Sequence, residues 1–431
     1  MTQKTPEILA PAGDLERLQA ALLYGADAVY LGGTSFSMRS APKNFTLEEL
    51  EQGCRMAHGK NVKVYCTVNT LLKNEEIASI PAYLHDLADC GVDAFIVADM
   101  GVFLLVRREL PQMEVHISTQ AGVTNWLTAR ELHRLGAKRV VLARELSLAD
   151  IQGIRKNTPP ELELEYFVQG AMCVSVSGRC LLSNYFTGRD GNRGECAQPC
   201  RWRYHLVEET RPGQYFPISE EENGTYILNA KDLCLLPHLD KLRDAGVDSF
   251  KIEGRAKSAY YVAVATHAYR CAADLLKNPV YDPPEWLLDE PNKLSHRPYS
   301  TGFLFGRSDD SQQVPGGYIR TWEAAGVVEG WREGRLLCSQ RNKFRLGDIL
   351  EALPPGEPPV EIPVIDLRDG EGEPIADTPH ATMAFSIPWP RPLPGGIFLR
   401  FMPGRQDLTD APKGMLTSQR EEVTHEKRRD F

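Results

Sequence analysis

The sequence predicts a TIM-like (β/α)8 barrel with a long cysteine-rich insertion after strand 7, followed by a small C-terminal β-domain. Three observations carry this. Eight short β-branched or aromatic runs alternate with helical stretches over the first 255 residues, the arithmetic of an eight-stranded barrel. A glycine recurs where a helix would stop and a strand begin, in Gly25-Ala-Asp-Ala-Val, Gly91-Val-Asp-Ala-Phe, Gly136-Ala-Lys-Arg-Val and Gly246-Val-Asp-Ser-Phe, as left-handed αβ loops require. The main rival, an open doubly wound sheet, lacks a G-x-G-x-x-G after its first strand.

The strands expected in order are EILA (7–10), AVYLG (28–32), KVYCTVN (63–69), AFIVAD (94–99), EVHIST (114–119), RVVLAR (139–144), LEYFVQ (164–169) and SFKIE (249–253). The last connection is abnormal. About 80 residues separate Gln169 from Ser249, where a βα unit takes roughly 30. The insertion, 170–248, leaves the carboxyl end of the seventh strand, the end at which barrel enzymes place their chemistry. The barrel with its insertion is assigned to 1–275 and a proline- and aromatic-rich linker wrapping it to 276–325. Residues 326–402 carry GVVEGWREGRLLCSQ, NKFRLGDILEAL and GGIFLRFM between glycine and proline punctuation, reading as a small β-barrel or sandwich. Residues 403–431 read as a polar, frayed tail.

Composition narrows the function. With 49 basic and 58 acidic side chains the 431-residue chain has a net charge of −9, against strong non-specific nucleic-acid binding but not against a local basic site. The first residues lack an apolar signal core, and no apolar run approaches a membrane span. A cytoplasmic protein without membrane partners is expected, whose ten cysteines are free, catalytic or metal-bound.

Four of them lie in EYFVQGAMCVSVSGRCLLSNYFTGRDGNRGECAQPCRWRY. Cys173, Cys180, Cys196 and Cys200 are spaced C-x6-C-x15-C-x3-C. Four thiolates within 28 residues, broken by glycines, can converge on one centre. Only the second pair is as tight as a zinc knuckle, so an iron–sulfur cluster is preferred to zinc, with unligated thiols the remaining reading. Cys234 is a reserve ligand whose apolar neighbours suggest a packed thiol. Cys54, Cys66, Cys90, Cys271 and Cys338 are isolated and read as packing.

The run E-x-F-x-x-G-A-M-C-x6-C-x-x-S (Glu165, Phe167, Gly170, Ala171, Met172, Cys173, Cys180, Ser183) resembles the signature of the collagenase-like peptidase family U32. LAPAG (9–13), GADAVYLGG (25–33), STQAGVTNW (118–126), LARELS (142–147) and KIEGR (251–255) follow in family order. Within the family the chain is most similar to the bacterial tRNA hydroxylation proteins, through SGRCLLS (177–183), GECAQPCRWRY (194–204), NGTYILNAKDL (223–233) and KIEGRAKSAYY (251–261). The resemblance implies a prephenate-dependent hydroxylase making 5-hydroxyuridine at the tRNA wobble position. It also implies a [4Fe–4S] cluster on Cys173, Cys180, Cys196 and Cys200, and partners comprising the tRNA anticodon loop and cluster-assembly or electron-donor proteins. Hydroxylation of ribosomal RNA or of a ubiquinone precursor is the alternative. Proteolysis is the other: no His-Glu-x-x-His or Gly-x-Ser-x-Gly occurs, and clustered thiols would compete for disulfide exchange with a single nucleophile.

For RNA, the aromatics Tyr185, Phe186, Trp202 and Tyr204 are candidate stacking partners. Arg179, Arg189, Arg193, Arg201 and Arg203 against Asp190 and Glu195 give the segment a local charge of +3, as a phosphate-contacting lip needs. The two carboxylates of prephenate call for cationic forks. Arg144, Lys251 and Arg255 at strand ends, Lys257 a turn beyond and Arg39 after the second strand are the candidates. Asn69, Asp99, Gln120, Glu145 and Glu253 share that face. Glu145 and Glu253 are the candidate catalytic carboxylates, with a mouth ion pair the equal alternative for each.

Overall fold

In the computed structural model, the described residues are 5–37, 44–173, 175–176, 179–202, 219–221, 224–226, 231–306 and 318–405. They fall into two compact units, divided at Trp322/Glu323 except that Leu353–Pro358 belongs with the first.

The first unit is a closed parallel barrel. Its strands are β1 (Glu7–Pro11), β2 (Ala28–Leu31), β3 (Lys63–Val68), β4 (Ala94–Val97), β5 (Glu114–Ile117), β6 (Arg139–Val141), β7 (Glu163–Ala171) and β8 (Ser249–Ile252). Neighbours pair in order, and β8 closes the ring against both β1 (Glu7↔Ser249) and β7 (Ser249↔Glu165). The helices α1 (Leu15–Leu23), α2 (Leu47–His58), α3 (Ile80–Asp89), α4 (Met100–Glu109), α5 (Trp126–Arg134) and α6 (Leu148–Lys156) follow the first six strands. Within the insertion lies α7 (Leu182–Thr187), α8 (Leu239–Asp244) precedes β8 and α9 (Ala259–Leu275) follows it.

The repeated glycines do what their spacing predicts. Gly25, Gly91, Gly136 and Gly246 have φ of 87°, 90°, 105° and 85°, where a Cβ is strained. In three of the four the residue two positions on is an aspartate with its own role. Asp27 Oδ2 accepts from Ile8 N (2.8 Å), Asp93 Oδ2 from Val64 N (2.7 Å) and Asp248 Oδ2 from Leu164 N (2.9 Å). Each accepts from the second residue of the preceding strand, satisfying a backbone donor at the barrel floor.

Several strands end earlier than the apolar runs suggest. The run 114–119 leaves the ladder after Ile117, and 139–144 after Val141. The residues beyond become the βα loops that form the barrel mouth. β7 instead runs long. Its last residues run past the end of β6 and pair antiparallel with Asp232–Cys234 (Asp232↔Ala171, Cys234↔Gln169), which pairs in turn with Tyr299–Ser300, while Gln169 stays paired with Ile252 of β8. A buried bridge from Arg297 Nη2 to Asp232 Oδ1, 2.6 Å, pins this rib. The segment after 275 therefore contributes a helix (Glu285–Asp289) and an edge strand to the first unit.

The barrel interior is layered. Leu9, Ala28, Tyr30, Tyr65, Ala94 and Ile96 form an apolar cluster. Beside it lies a charged floor: buried Arg139 donates to Glu7 (2.7 Å), Glu163 (2.6 Å) and Glu165 (3.1 Å). Lys251 Nζ donates to Glu165 Oε1 at 2.6 Å, and Tyr65 Oη to Glu7 at 2.8 Å. Burial acts to raise the Glu165 pKa, but Lys251 and Arg139 outweigh it and hold the carboxyl below its ordinary range. Burial pushes Lys251 down, against the pull of Glu165.

The second unit is one seven-stranded antiparallel sheet of β9 (Glu323–Arg332), β10 (Arg335–Gln340), β11 (Ile349–Ala352), β12 (Val360–Pro363), β13 (Arg368–Asp369), β14 (Ala384–Pro388) and β15 (Phe398–Phe401), in the order β12-β11-β15-β9-β10-β14-β13. It starts three residues before the expected 326. Its first hairpin turns on Glu333 and Gly334, both at positive φ (51° and 78°), as a two-residue hairpin prefers. Fully buried Arg400 is paired with Glu351 at 2.8 Å. Among the described residues, no helix is long and apolar enough to cross a membrane.

Candidate active site

A cavity of about 220 Å³ opens at the carboxyl ends of the barrel strands. One wall carries Thr67, Asn69, Ser118 and Gln120, from the ends of β3 and β5. A second carries Arg144, Glu145, Lys251, Glu253 and Arg255. The insertion brings Cys173, Cys180, Cys196 and Cys200 to the same space. These groups come from segments up to 188 residues apart, such as Thr67 and Arg255.

Close backbone approaches hold the walls together. A Cβ on Gly13, at the end of β1, would lie 2.2 Å from the Arg255 carbonyl oxygen. Gly170 has φ of 115°, and a Cβ there would meet the Cβ and carbonyl oxygen of Glu253 at 2.7 Å. Glycine is thus required where LAPAG and GAMC meet KIEGR.

The cations differ in how far they are committed. Arg144 stacks on Phe167, 3.8 Å from Cζ to the ring centroid, and donates to the Ala171 carbonyl at 2.5 Å. Arg255 is buried and donates from Nη1 to Thr67 Oγ1 at 2.7 Å; Thr67 in turn contacts Ser37 Oγ at 2.7 Å. Lys251 is the counterion of Glu165, so it reaches the cavity only as part of the buried floor. Lys257 lies outside the lining and packs over Tyr261 and Tyr318. Of the carboxylates, Glu253 Oε2 accepts from Ala171 N at 3.4 Å. Asp99 is the N-cap of α4, accepting from Gly101 and Val102; it is not a lining residue.

Cys173, Cys180 and Cys196 each receive a backbone N–H from the second residue onward: Ser175 N to Cys173 Sγ (3.5 Å), Leu182 N to Cys180 Sγ (3.4 Å) and Gln198 N to Cys196 Sγ (3.4 Å). Gln198 takes a left-handed φ of 57° in the turn that makes this contact, an uncommon conformation for a residue with a side chain. Donors of this kind stabilise thiolate sulfur and tune bound clusters. The segment is cross-tied by Asn192 Nδ2 to the Cys180 carbonyl (3.0 Å) and Ala197 N to Ser183 Oγ (2.9 Å). Burial pushes the Cys173 thiol up, and its neighbours Cys180 and Cys196 add to the rise.

Among the described residues, no three His, Cys, Asp or Glu side chains are gathered closely enough to hold a metal ion. The four thiols line one cavity, and thiolate donors of this kind suit an iron–sulfur cluster or zinc. Cys234 lies elsewhere, on the rib behind β7, with Sγ 3.8 Å from Tyr269 Oη. Cys54, Cys66 and Cys338 are buried, and burial pushes Cys54, Cys66 and Cys271 up to about 12, as suits inert packing thiols.

The insertion's outer face is apolar and cationic. Tyr185 is 84% exposed and packs edge-on to Phe186 at 5.5 Å; Leu181 and Trp202 are exposed too. Arg179 and Arg189 are exposed, and Arg179 Nε donates to the Gln120 carbonyl at 2.6 Å. Arg193 is used internally, bridging to Glu76 and donating to the Leu71 carbonyl at 2.8 Å. Arg39, Arg203, Tyr204 and the Arg201 side chain lie outside the described residues.

The Arg193 hydrogen bond holds Glu76 at about 2. A depressed carboxylate stabilises the folded state above its ordinary value and loses that contribution as pH falls through the folded value. The clasp between the insertion and the β3–α3 loop should therefore persist at pH 5 and weaken on acidification towards pH 2. Glu76→Gln should speed limited proteolysis of the insertion at pH 7, without changing cleavage of the barrel.

Sequence reasoning did not single out Thr67 or Ser118. The signal was the strand alternation: Tyr65, Thr67 and Asn69 follow one another on the inward face, as do His116, Ser118 and Gln120.

Comparison with known proteins bears on these residues. The model of peptidase family U32 matches residues 13–314, and that of the U32 C-terminal domain residues 320–400. The tRNA hydroxylation protein P of Escherichia coli (strain K12) is 36% identical over 95% of this chain and 99% of its own length. The tRNA hydroxylation protein P1 of Bacillus subtilis (strain 168) is 39% identical over 82% of this chain and 84% of its own. An uncharacterized protease of Methanocaldococcus jannaschii is 46% identical over 69% of this chain and 73% of its own.

Proposed function

The chain belongs to peptidase family U32, and from that premise we propose that it is an RNA-modifying hydroxylase rather than a peptidase. In the finer reading it converts the wobble uridine of tRNA to 5-hydroxyuridine, with prephenate as co-substrate and a [4Fe–4S] cluster as cofactor. The observation that carries this is the convergence of four cysteines, two arginines and two carboxylates on one cavity, with exposed aromatics on the same insertion that brings the cysteines. Similarity to two proteins named for tRNA hydroxylation supports the RNA substrate.

Each group has a part in such a reaction. Uridine C5 is reached only when the nucleotide is splayed from its stack. Tyr185 and Phe186 offer faces for neighbouring bases, and Arg179 and Arg189 contact phosphate. Arg144 and Arg255 grip the carboxylates of a dianion, with Arg255 oriented by Thr67. Glu145 and Glu253 would take the proton that C5 gives up. Cys173, Cys180, Cys196 and Cys200 would hold the cluster, which when bound supplies one-electron redox chemistry beside the cavity.

A cysteine peptidase is poorly served by the same site. Among the described residues that line the cavity there is no histidine, the usual base of a cysteine nucleophile. The test is mass spectrometry of tRNA nucleosides from a strain lacking the gene, grown with and without oxygen so that an oxygen-dependent pathway cannot mask the loss. Wobble 5-hydroxyuridine derivatives should fall. Unchanged levels in a strain with no redundant pathway would refute the reading.

A further inference from the structure

We infer that Gln120 reads position 4 of the pyrimidine, admitting a 4-oxo base (uracil) and rejecting a 4-amino base (cytosine). This rests on the hydroxylase reading above. Gln120 sits in the short turn Thr119–Ala121 that follows β5, and its side chain lines the cavity. The turn is held from two sides. Its backbone carbonyl accepts from Arg179 Nε of the insertion at 2.6 Å. Its side-chain oxygen accepts from Ser118 Oγ at 3.2 Å, and Ser118 Oγ accepts from Asn69 Nδ2 at 3.4 Å.

The polarity of that chain matters. With Oε1 committed to the Ser118 hydroxyl, the carboxamide presents its NH2 group to an incoming ligand. Uracil and cytosine have nearly the same shape, so a cavity can separate them only by the direction of hydrogen bonds at the base edge. An NH2 donor is matched by the uracil O4 acceptor and opposed by the cytosine N4 amino donor. A site built to satisfy one pattern rejects the other, because a desolvated donor is left facing a donor. C5 is the ring neighbour of C4, so the contact that selects the base also sets where the reacting carbon sits. The Arg179 bond places this contact under the edge of the cysteine-bearing insertion, one residue from Cys180.

The experiment compares two anticodon stem-loop RNAs that differ only in uridine or cytidine at the target, with cluster-loaded full-length protein, prephenate, a two-electron acceptor and single-turnover nucleoside mass spectrometry. Wild type should favour uridine. Gln120→Glu, which puts an acceptor where the donor was, should lower the uridine-to-cytidine rate ratio roughly tenfold or more, losing rate on uridine and gaining it on cytidine. Ser118→Ala, which frees the carboxamide to turn, should lower the ratio part-way and serves if the glutamate variant does not fold. Equal losses on both RNAs, with the ratio unmoved in both variants, would overturn the inference and leave Gln120 a structural residue. A wild-type ratio near one would overturn it also. Wild-type protein inert on both RNAs at full cluster content would overturn the hydroxylase reading itself.

Discussion

Cys173→Ala and Cys196→Ala should each strip the anaerobically purified protein of iron and acid-labile sulfide and abolish its visible absorbance. Loss of outer-shell partners alone costs metalloproteins 10- to 100-fold, so removing a ligand should lower hydroxylation by roughly 100-fold or more. The expectation follows from the local backbone. Cys173, Cys180 and Cys196 each accept an amide N–H from two residues on, and Ser183 and Asn192 tie the segments that bear them. Iron and sulfide content is read independently of activity. Cys234→Ala should retain the iron, because that thiol lies on the rib behind β7 against Tyr269. If Cys234→Ala loses iron while Cys200→Ala keeps it, the fourth ligand is misassigned. A colourless wild-type protein with one bound zinc would contradict the cluster altogether.

The second large effect lies beneath the cavity. Arg139 bridges Glu7, Glu163 and Glu165, and Glu165 also holds Lys251. Arg139 is 4% exposed and Glu165 fully buried. Removing one partner of a buried charge set strands the others, at about 3–5 kcal/mol. Arg139→Met should therefore lower the midpoint of thermal unfolding by roughly 10 °C. Changing Glu165→Gln together with Lys251→Met removes a balanced pair and should cost less than either substitution alone. Calorimetry of the two single variants and the double variant measures this. Equal, additive losses would mean that Glu165 and Lys251 act separately.

How much of this was readable beforehand depended on the range of the interaction. The barrel was legible because its signals are local: glycines at left-handed positions, apolar runs of strand length, and an 80-residue gap where a helix connection belongs. The glycine-aspartate repeat was visible as a pattern, but the task of Asp27, Asp93 and Asp248 was not, since each caps a neighbouring strand rather than its own. At the mouth, the sequence pointed to Arg144, Glu145, Lys251, Glu253 and Arg255, because residues at carboxyl ends of barrel strands face one space. It could not show which cations were already committed. Lys251 is balanced by a carboxylate 86 residues away and Arg193 by one 117 residues away, and no local pattern reports such pairs. Asp99 follows β4 at the same end of the barrel but caps α4 and is not among the cavity's lining residues; a local pattern does not separate a helix cap from a lining residue.

The most direct test is the mass of one nucleoside. Anaerobically reconstituted protein is incubated with a uridine-bearing anticodon stem-loop, prephenate and a two-electron acceptor, because C–H to C–OH gives up two electrons, and the wobble nucleoside is weighed. A gain of one oxygen, absent without prephenate and absent with Cys173→Ala, is the expected result. An unaltered uridine at full cluster occupancy, with the same RNA shown to bind, would contradict the assignment of this cavity to RNA hydroxylation.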